Sequence, residues 1–472
     1  PRLGTTSSAR PLLRANLDPE TRLAAFQMGK TACSPTGAAV STLVALLLFA
    51  LISLSYGTRY ITQSVVAGDG STPANAWNSW ETACNFMEST SNPTDTLVIL
   101  GAVNTDTPNR RCLTKWNIVG LADGSSMVRF RDGASLGMRG NGNPLAPQNI
   151  TALAMTNTGT ASPQDQYLIE AYSDQFLMEQ LYVATGSGSF LWTNASQLNI
   201  STFTIVNAYV SLPAEPVLPA WITVTNNSRF TCNMCYAPDE IAFTLQRPIF
   251  GAFGQGAEIS LVNSIFIVPL AGSPMLHATY GAKVTVYGTS VLGCAGTHGL
   301  YLGGVGACFH FSKAQYSIEQ SAFRHCVTET RACIYAEDST GEFYNNIFYN
   351  MTGDTGSSIL VDGGSTVVNF NEFSLSTYPF IGQGSATGQF SAPSAVVVQN
   401  ALYNVTLNVF SNLAAPFCPA LIISPNSYGS ITNNLFERME PQSLSVVCVT
   451  HLRLPNGEFT PFVGSTAGLP PA

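Results

Sequence analysis

A repeat of about 25 residues constrains this chain more than any other feature. Ala332 to Phe348 reads ACIYAEDSTGEFYNNIF, and Ser357 to Phe373 reads SSILVDGGSTVVNFNEF. Each line is an apolar run, a polar turn, a second alternating run, then an Asn shortly before a Phe. Ser394 to Phe410 (SAVVVQNALYNVTLNVF) and Ala420 to Phe436 (ALIISPNSYGSITNNLF) repeat the form. A period of this size with two short strands per unit marks a β-solenoid. One unit cannot bury its own apolar face, so units stack and equivalent residues pile into columns.

The Phe column runs through Phe266, Val291, Phe323, Phe348, Phe373, Phe410 and Phe436, in steps of 25, 32, 25, 25, 37 and 26 residues, with Phe203 and Phe230 as weaker members. The two long steps predict loops inserted into single coils. Two residues earlier stand Ser201, Ser228, Ser264, Ser321, Asn346, Asn371, Asn408 and Asn434. Side-chain amides at such a corner tolerate left-handed backbone and can hydrogen-bond along the stack.

At 472 residues the chain could hold several domains, but a solenoid absorbs any length. Charged residues make up 10%, against a usual quarter, which argues against a coiled coil or a charged disordered chain. The net charge of −8 excludes a nucleic-acid backbone as partner.

Residues 1–36 read as a disordered tail carrying Arg2, Arg10, Arg14, Arg22 and Lys30 against Asp18 and Glu20. Gly37 to Tyr56 has no charge, and about twenty such residues let a helix cross a bilayer. The basic flank is N-terminal, which predicts a cytoplasmic tail and an exported C-terminal part, a single-pass type II arrangement. A cleaved signal peptide is the rival reading, with small Ser53 and Ser55; a buried core helix is the other. Two features favour export of residues 57–450. Only Cys33 of the eleven cysteines precedes the apolar segment, leaving an even ten beyond it. Glycosylation sequons at Asn149, Asn194, Asn199, Asn226, Asn350 and Asn404 all lie beyond it too. Residues 451–472 read as a C-terminal tail over the last coil.

Gly68 onward reads GDGSTPANAWNSWETACNFMEST, followed by the strand-like Thr96 to Gly101 and Trp116 to Leu121. This stretch resembles the start of a right-handed parallel β-helix of the pectin-lyase-like superfamily. The resemblance covers roughly residues 62–450 by repeat form. It implies an all-β solenoid preceded by a capping helix, here Trp77 to Glu88, that covers the open strand edges. It implies fold rather than activity. Polygalacturonase-like members carry Asn-Thr-Asp, Asp-Asp, Gly-His-Gly and Arg-Ile-Lys motifs in successive coils. This chain has Asn104-Thr105-Asp106 in its first coils and Thr297-His298-Gly299, but neither of the others. Arg331 near Glu337 only faintly resembles the arginine base of pectate-lyase-like members.

Column position sorts the remaining chemistry. Cys294 and Cys326 each lie three residues after a column member, and Cys308 and Cys333 each lie fifteen before one. Stacked strands about 4.8 Å apart bring such pairs within disulfide range, so Cys294–Cys326 and Cys308–Cys333 are the expected bridges, against a reduced stack. Cys84–Cys112 could tie the cap, and Cys418–Cys448 the far end. Cys232-Asn-Met-Cys235 reads as a local bridge or core pair rather than a redox or zinc motif, lacking a helix N-terminus and a second half-site. Glu337 and Asp362 each lie eleven residues before a Phe, with Asp338 adjacent and Gln399 in the next coil. Stacked carboxylates suit retaining glycoside cleavage or a calcium ion, the one metal the sequence suggests; they equally suit tight turns. His310 reads as a packed strand residue. Tyr335, Tyr344, Tyr349 and Tyr403 lie near the repeat strands, divided between packing and sugar stacking.

The sequence thus predicts a membrane-anchored, extracellular, luminal or virion-surface β-helix, structural or adhesive, with a cell-surface glycan or polysaccharide as partner. The alternatives are a polysaccharide lyase or hydrolase acting through Glu337, Asp338 and Asp362, and a homotrimeric spike.

Overall fold

The computed structural model describes residues 57–460, apart from internal stretches of which the longest are 206–219, 238–247, 297–307 and 378–393. The predicted tail and membrane segment at 1–56, and residues 461–472, lie outside the described residues. Among the described residues no helix is long and apolar enough to cross a membrane.

Thirty-five strands join one hydrogen-bonded network in which every pairing is parallel, so the fold is an all-β parallel β-helix. Three long ladders run along it. The first passes through Phe250–Phe253, Leu276–Thr279, Phe309–Ser312 and the N-terminal halves of Ala332–Tyr344 and Ser357–Asn369, then Val396–Gln399 and Leu421–Ile423. The second passes through Glu258–Val262, Lys283–Tyr287, Gln315–Glu319, the C-terminal halves of those two long strands, Leu402–Thr406 and Tyr428–Thr432. The third carries the Phe column. A short fourth ladder joins Ala295–Gly296, Val327–Thr328 and Thr352–Gly353.

The Phe column is in register from Phe266 to Phe436. Phe323, Phe348, Phe373, Phe410 and Phe436 stack face to face at 5.1, 4.8, 5.0 and 5.2 Å between ring centroids. The 37-residue step preserves the stack, because the extra residues leave the strand register unchanged. Burying each ring contributes about 2–3 kcal/mol. The two weaker members stand elsewhere. Phe203 pairs with Leu181, two positions out of step, because Ile205 and Ala237 hold the place below Phe266. Phe230 belongs to the second ladder, opposite Ile259.

Beside the rings runs a ladder of side-chain hydrogen bonds. The backbone N–H of Asn346 donates to Asn371 Oδ1 at 2.9 Å, that of Asn371 to Asn408 Oδ1 at 2.8 Å, and that of Asn408 to Asn434 Oδ1 at 2.9 Å. Ser321 donates to Asn346 in the same way, and Ser264 and Thr289 continue the row. The left-handed backbone falls one residue before the amide, at Asn263, Gln320, Asn345, Phe370, Leu407 and Asn433, with φ between +47° and +58°. Such angles cost a non-glycine residue about 1–2 kcal/mol. The turn holds because the following side chain satisfies the N–H that the corner strips from the strand ladder.

The start of the solenoid is closed by helix α1, Trp80–Ser89. Ser79 caps it by accepting the N–H of Thr82, and Glu81 complements its first turn. Trp80, Ala83, Cys84 and Met87 form the buried face, at the spacing of an amphipathic helix. A strand at Thr58–Ile61, unforeseen in the sequence, pairs with Thr96–Ile99 and begins the second ladder. Ser189–Asn194, despite its Gly- and Ser-rich surroundings, is a first-ladder strand between Tyr167–Tyr172 and Ile222–Thr225.

Candidate functional site

The outer surface of the first ladder holds the predicted carboxylates. Strand alternation points Phe309, Phe311, Ile334, Ala336, Ile359 and Val361 inward. It points His310 and Ser312, Tyr335 and Glu337, and Leu360 and Asp362 outward. Glu337 and Asp362 are register partners on adjacent strands, as are Ser312 below and Gln399 above. Parallel strands set such backbones about 4.8 Å apart. The carboxylates nonetheless reach in opposite directions. Glu337 Oε2 accepts from Ser312 Oγ at 3.4 Å and lies 3.9 Å from His310 Nε2, in the preceding coil. Asp362 Oδ1 accepts from Asn400 Nδ2 at 3.1 Å, in the following one.

Asp338 occupies a different place. It is an exposed corner residue with φ +46°, in a column of left-handed residues formed by Gly254, Tyr280, Lys313, Asp338, Gly363 and Asn400. Its carboxylate lies over Gly363, where a Cβ would meet Asp338 Oδ1 at 2.3 Å. Glycine suits its φ of +81°, and an added Cβ would also have to displace the exposed Asp338 carboxylate. The adjacent corner strengthens the turn: Ser339 Oγ donates to the carbonyl of Glu337 and accepts the N–H of Ala314.

The second outward column was not legible as a site. His277, His310 and Tyr335 stack at 4.7 and 5.2 Å, within 9° of parallel, with Phe253 edge-on to His277. All three stacked side chains are buried although they point away from the core. Leu360, Val397 and Ile422 continue the column and pack with Ala332 and Cys418 in a satellite apolar cluster. Burial pushes the His277 imidazole down to about 4, so it is neutral at ordinary pH. The signal for this column was present in ILVD, VVVQ and LIIS: unbroken apolar runs are what strands buried on both faces require.

Other sequence candidates fall to structural roles. Asp106 accepts the N–H of Trp80 at 3.1 Å and Thr105 Oγ1 accepts the N–H of Arg131, so Asn104-Thr105-Asp106 secures the capping helix and its coil. His325 is an exposed corner residue sharing a hydrogen bond with Asn350. Tyr335 and Tyr344 point outward, the first buried and the second exposed. His298 and Arg331 lie outside the described residues, as does Asn226. Asn350 and Asn404 are exposed, Asn149 is partly buried, and Asn194 and Asn199 lie in strands.

The cysteines require a correction. Cys84 is joined to Cys112, Cys418 to Cys448, and Cys232 to Cys235. Cys294–Cys326 and Cys308–Cys333 are not bonded, although the strands align them: the N–H of Val327 donates to the Cys294 carbonyl, and that of Cys308 to the Cys333 carbonyl. The bond runs between the columns, from Cys294 to Cys308, leaving Cys326 and Cys333 as buried thiols. Both columns turn inward where the fourth ladder meets the first, so the nearest sulfur lies across the corner rather than one coil up. Among the described residues, Cys294, Cys308 and Cys326 form the one group of three side chains with metal-ligand spacing, their sulfurs within 4.8 Å of one another, but two of the three are joined in the disulfide. Glu337, Asp338 and Asp362 form no such group, so a calcium cage of these carboxylates is not assembled.

Fold and outer face together define a parallel β-helix protein with a mixed polar and aromatic surface. No family model and no curated protein matches the chain. Among solved structures it is similar to the catalytic domain of a GH87 α-1,3-glucanase in complex with tetrasaccharides, at 10% identity and a TM-score of 0.42, over 80% of this chain and 69% of that one. It is also similar to the Agl-KA catalytic domain, at 12% identity and a TM-score of 0.35, over 83% and 69%. A tailspike protein of the E. coli bacteriophage HK620 matches at 9% identity and a TM-score of 0.38, over 92% and 86%. These are similarities of chain trace, and the bound sugars belong to those proteins.

Proposed function

We propose that this chain is a surface-displayed β-helix that binds carbohydrate along the outer edge of its first ladder, held to a membrane by residues 37–56. The observation that supports this reading most is the outward column Thr279, Ser312, Glu337, Asp362 and Gln399, flanked by the corner column Tyr280, Lys313, Asp338 and Asn400. Hydroxyl, carboxylate, amide and ammonium groups repeat along it at one coil per step, about 4.8 Å, which is of the order of one sugar ring. Tyr280, 71% exposed, offers an aromatic face at one end. Sugars are held by such pairings of polar groups with an exposed ring. Outside the cytosol, exposed Asn350 and Asn404 are the sequons this reading assigns to glycan.

A second reading rests on the register of Glu337 and Asp362. Carboxyl groups about 5–5.5 Å apart serve retaining glycosidases. The opposed hydrogen bonding of this pair favours binding over cleavage. Titration calorimetry of the purified protein against a polysaccharide panel, with parallel assays for reducing ends and unsaturated products, separates the two. Binding without turnover is expected, weakened about tenfold or more in Tyr280→Ala and Glu337→Gln. Binding that none of Tyr280→Ala, Glu337→Gln and Asp362→Asn alters would refute the assignment of the face. Turnover abolished by both carboxamide substitutions would establish the enzyme instead.

A further inference from the structure

The four cysteines at the corner between the first and fourth ladders are closer to one another than a single bridge requires. Cys308 Sγ is bonded to Cys294, lies 3.4 Å from Cys326 Sγ and lies 3.2 Å from Cys333 Sγ. All four side chains are buried. Reacting atoms about 3–3.5 Å apart are already at the separation from which a bond can form. From this contact geometry we infer that Cys294, Cys308, Cys326 and Cys333 form one internal disulfide-exchange unit with Cys308 at its centre. The Cys326 or Cys333 sulfur, as thiolate, attacks Cys308 Sγ. A new S–S bond forms, the Cys294–Cys308 bond breaks, and Cys294 leaves as thiolate and takes up the proton the attacker lost. No electrons enter or leave, so the step needs neither oxidant nor reductant.

The exchange changes what the bond restrains. Cys294–Cys308 closes a span of 14 residues around 295–307, whereas Cys308–Cys333 closes 25 and ties neighbouring coils to each other. Loop-closure entropy varies with the logarithm of span, so chain entropy separates these isomers by only about two- to threefold. The unit thus alternates between closing a span within one coil and stapling the stack. Burial and the neighbouring Cys326 push the Cys333 thiol up, which keeps exchange slow while the coil is closed.

The test is disulfide mapping by mass spectrometry on the full chain, unfolded in acid with a maleimide to halt exchange. In the wild type, Cys308 is expected in more than one pairing. In Cys294→Ser equilibrated with oxidised glutathione, which supplies the two-electron oxidant this variant needs, Cys308 is expected bonded to Cys326 or Cys333. A wild type holding only the Cys294–Cys308 pairing overturns the inference, as does a Cys308 thiol in folded Cys294→Ser. Four thiols with one equivalent of bound zinc would overturn it as well. Should Cys294→Ser not fold, the wild-type map decides alone.

Discussion

Replacing Asn371 with Ala probes the side-chain ladder in a direction that no generic packing argument anticipates. Asn371 Oδ1 accepts both the backbone N–H and the Nδ2–H of Asn346, each at 2.9 Å. Its own Nδ2 donates to the carbonyls of Phe343 and Asn369 and to Asn408 Oδ1. Asn346 keeps a side-chain partner in the Ile318 carbonyl after the substitution, but its backbone N–H loses its acceptor in a site closed to water. One orphaned buried donor costs about 1–3 kcal/mol, and the four other lost bonds about 0.5–1.5 kcal/mol each, so a loss of at least about 3 kcal/mol is expected. The ladder is one-way, because each amide serves the coil before it. Hydrogen exchange resolved by residue should therefore show faster exchange at the Asn346 amide. The Asn371 amide, still bonded to Asn408 Oδ1, should keep its protection. Asn408→Ala should move the effect to Asn371. A loss below about 1 kcal/mol, or equal deprotection on both sides of position 371, would refute the reasoning.

Phe373→Ala removes a ring wholly buried between Phe348 and Phe410 and should cost about 3–5 kcal/mol in urea unfolding, with Phe373→Leu costing much less. His277 gives a pH signature. Its folded value of about 4 lies below the ordinary imidazole value of 6.5, so the unfolded chain takes up the proton first and stability falls as pH drops from 6.5 to 4. That loss is about 3 kcal/mol over the window and flat below it, and should disappear from the unfolding profile of His277→Gln. Loss of glycan affinity in Tyr280→Ala, and Cys308 re-pairing in Cys294→Ser, complete the set.

The stacking was readable in the sequence because Phe and Asn recur at fixed offsets, and a parallel strand pairs whatever lies at equal offset. Phe203 and Phe230 show where that reading fails. Neighbouring ladders also carry an inward aromatic, and spacing alone cannot say which ladder a Phe belongs to once coil length varies. The cysteine columns were aligned as expected, yet the bond joins them sideways. A linear repeat records neighbours along the stack but not which columns converge at a corner. Asp338 stands in the neighbouring corner column rather than in the Glu337 column for a related reason: its own left-handed φ makes it the turn residue. The buried His277, His310 and Tyr335 stack was hidden because its residues are not alike in type.

The conversion of chain spacing into height is best measured by pulsed dipolar spectroscopy on one ladder. Thr231, Ser260, Thr285, Ser317, Glu342, Val367, Asn404 and Ser430 are successive register partners. Spin labels carried on a ketone-bearing residue, which leaves the native cysteines alone, would pair Ser430 with Ser317, Thr285, Ser260 and Thr231 in turn. The β-helix predicts distances of about 19, 24, 29 and 34 Å, an equal rise of about 4.8 Å for each added coil. Those coils add 32, 25 and 29 residues to the separation, and the rise should ignore the difference. Distances that scale with residue number, or that fail to climb in even steps, would contradict the stack on which every other inference stands.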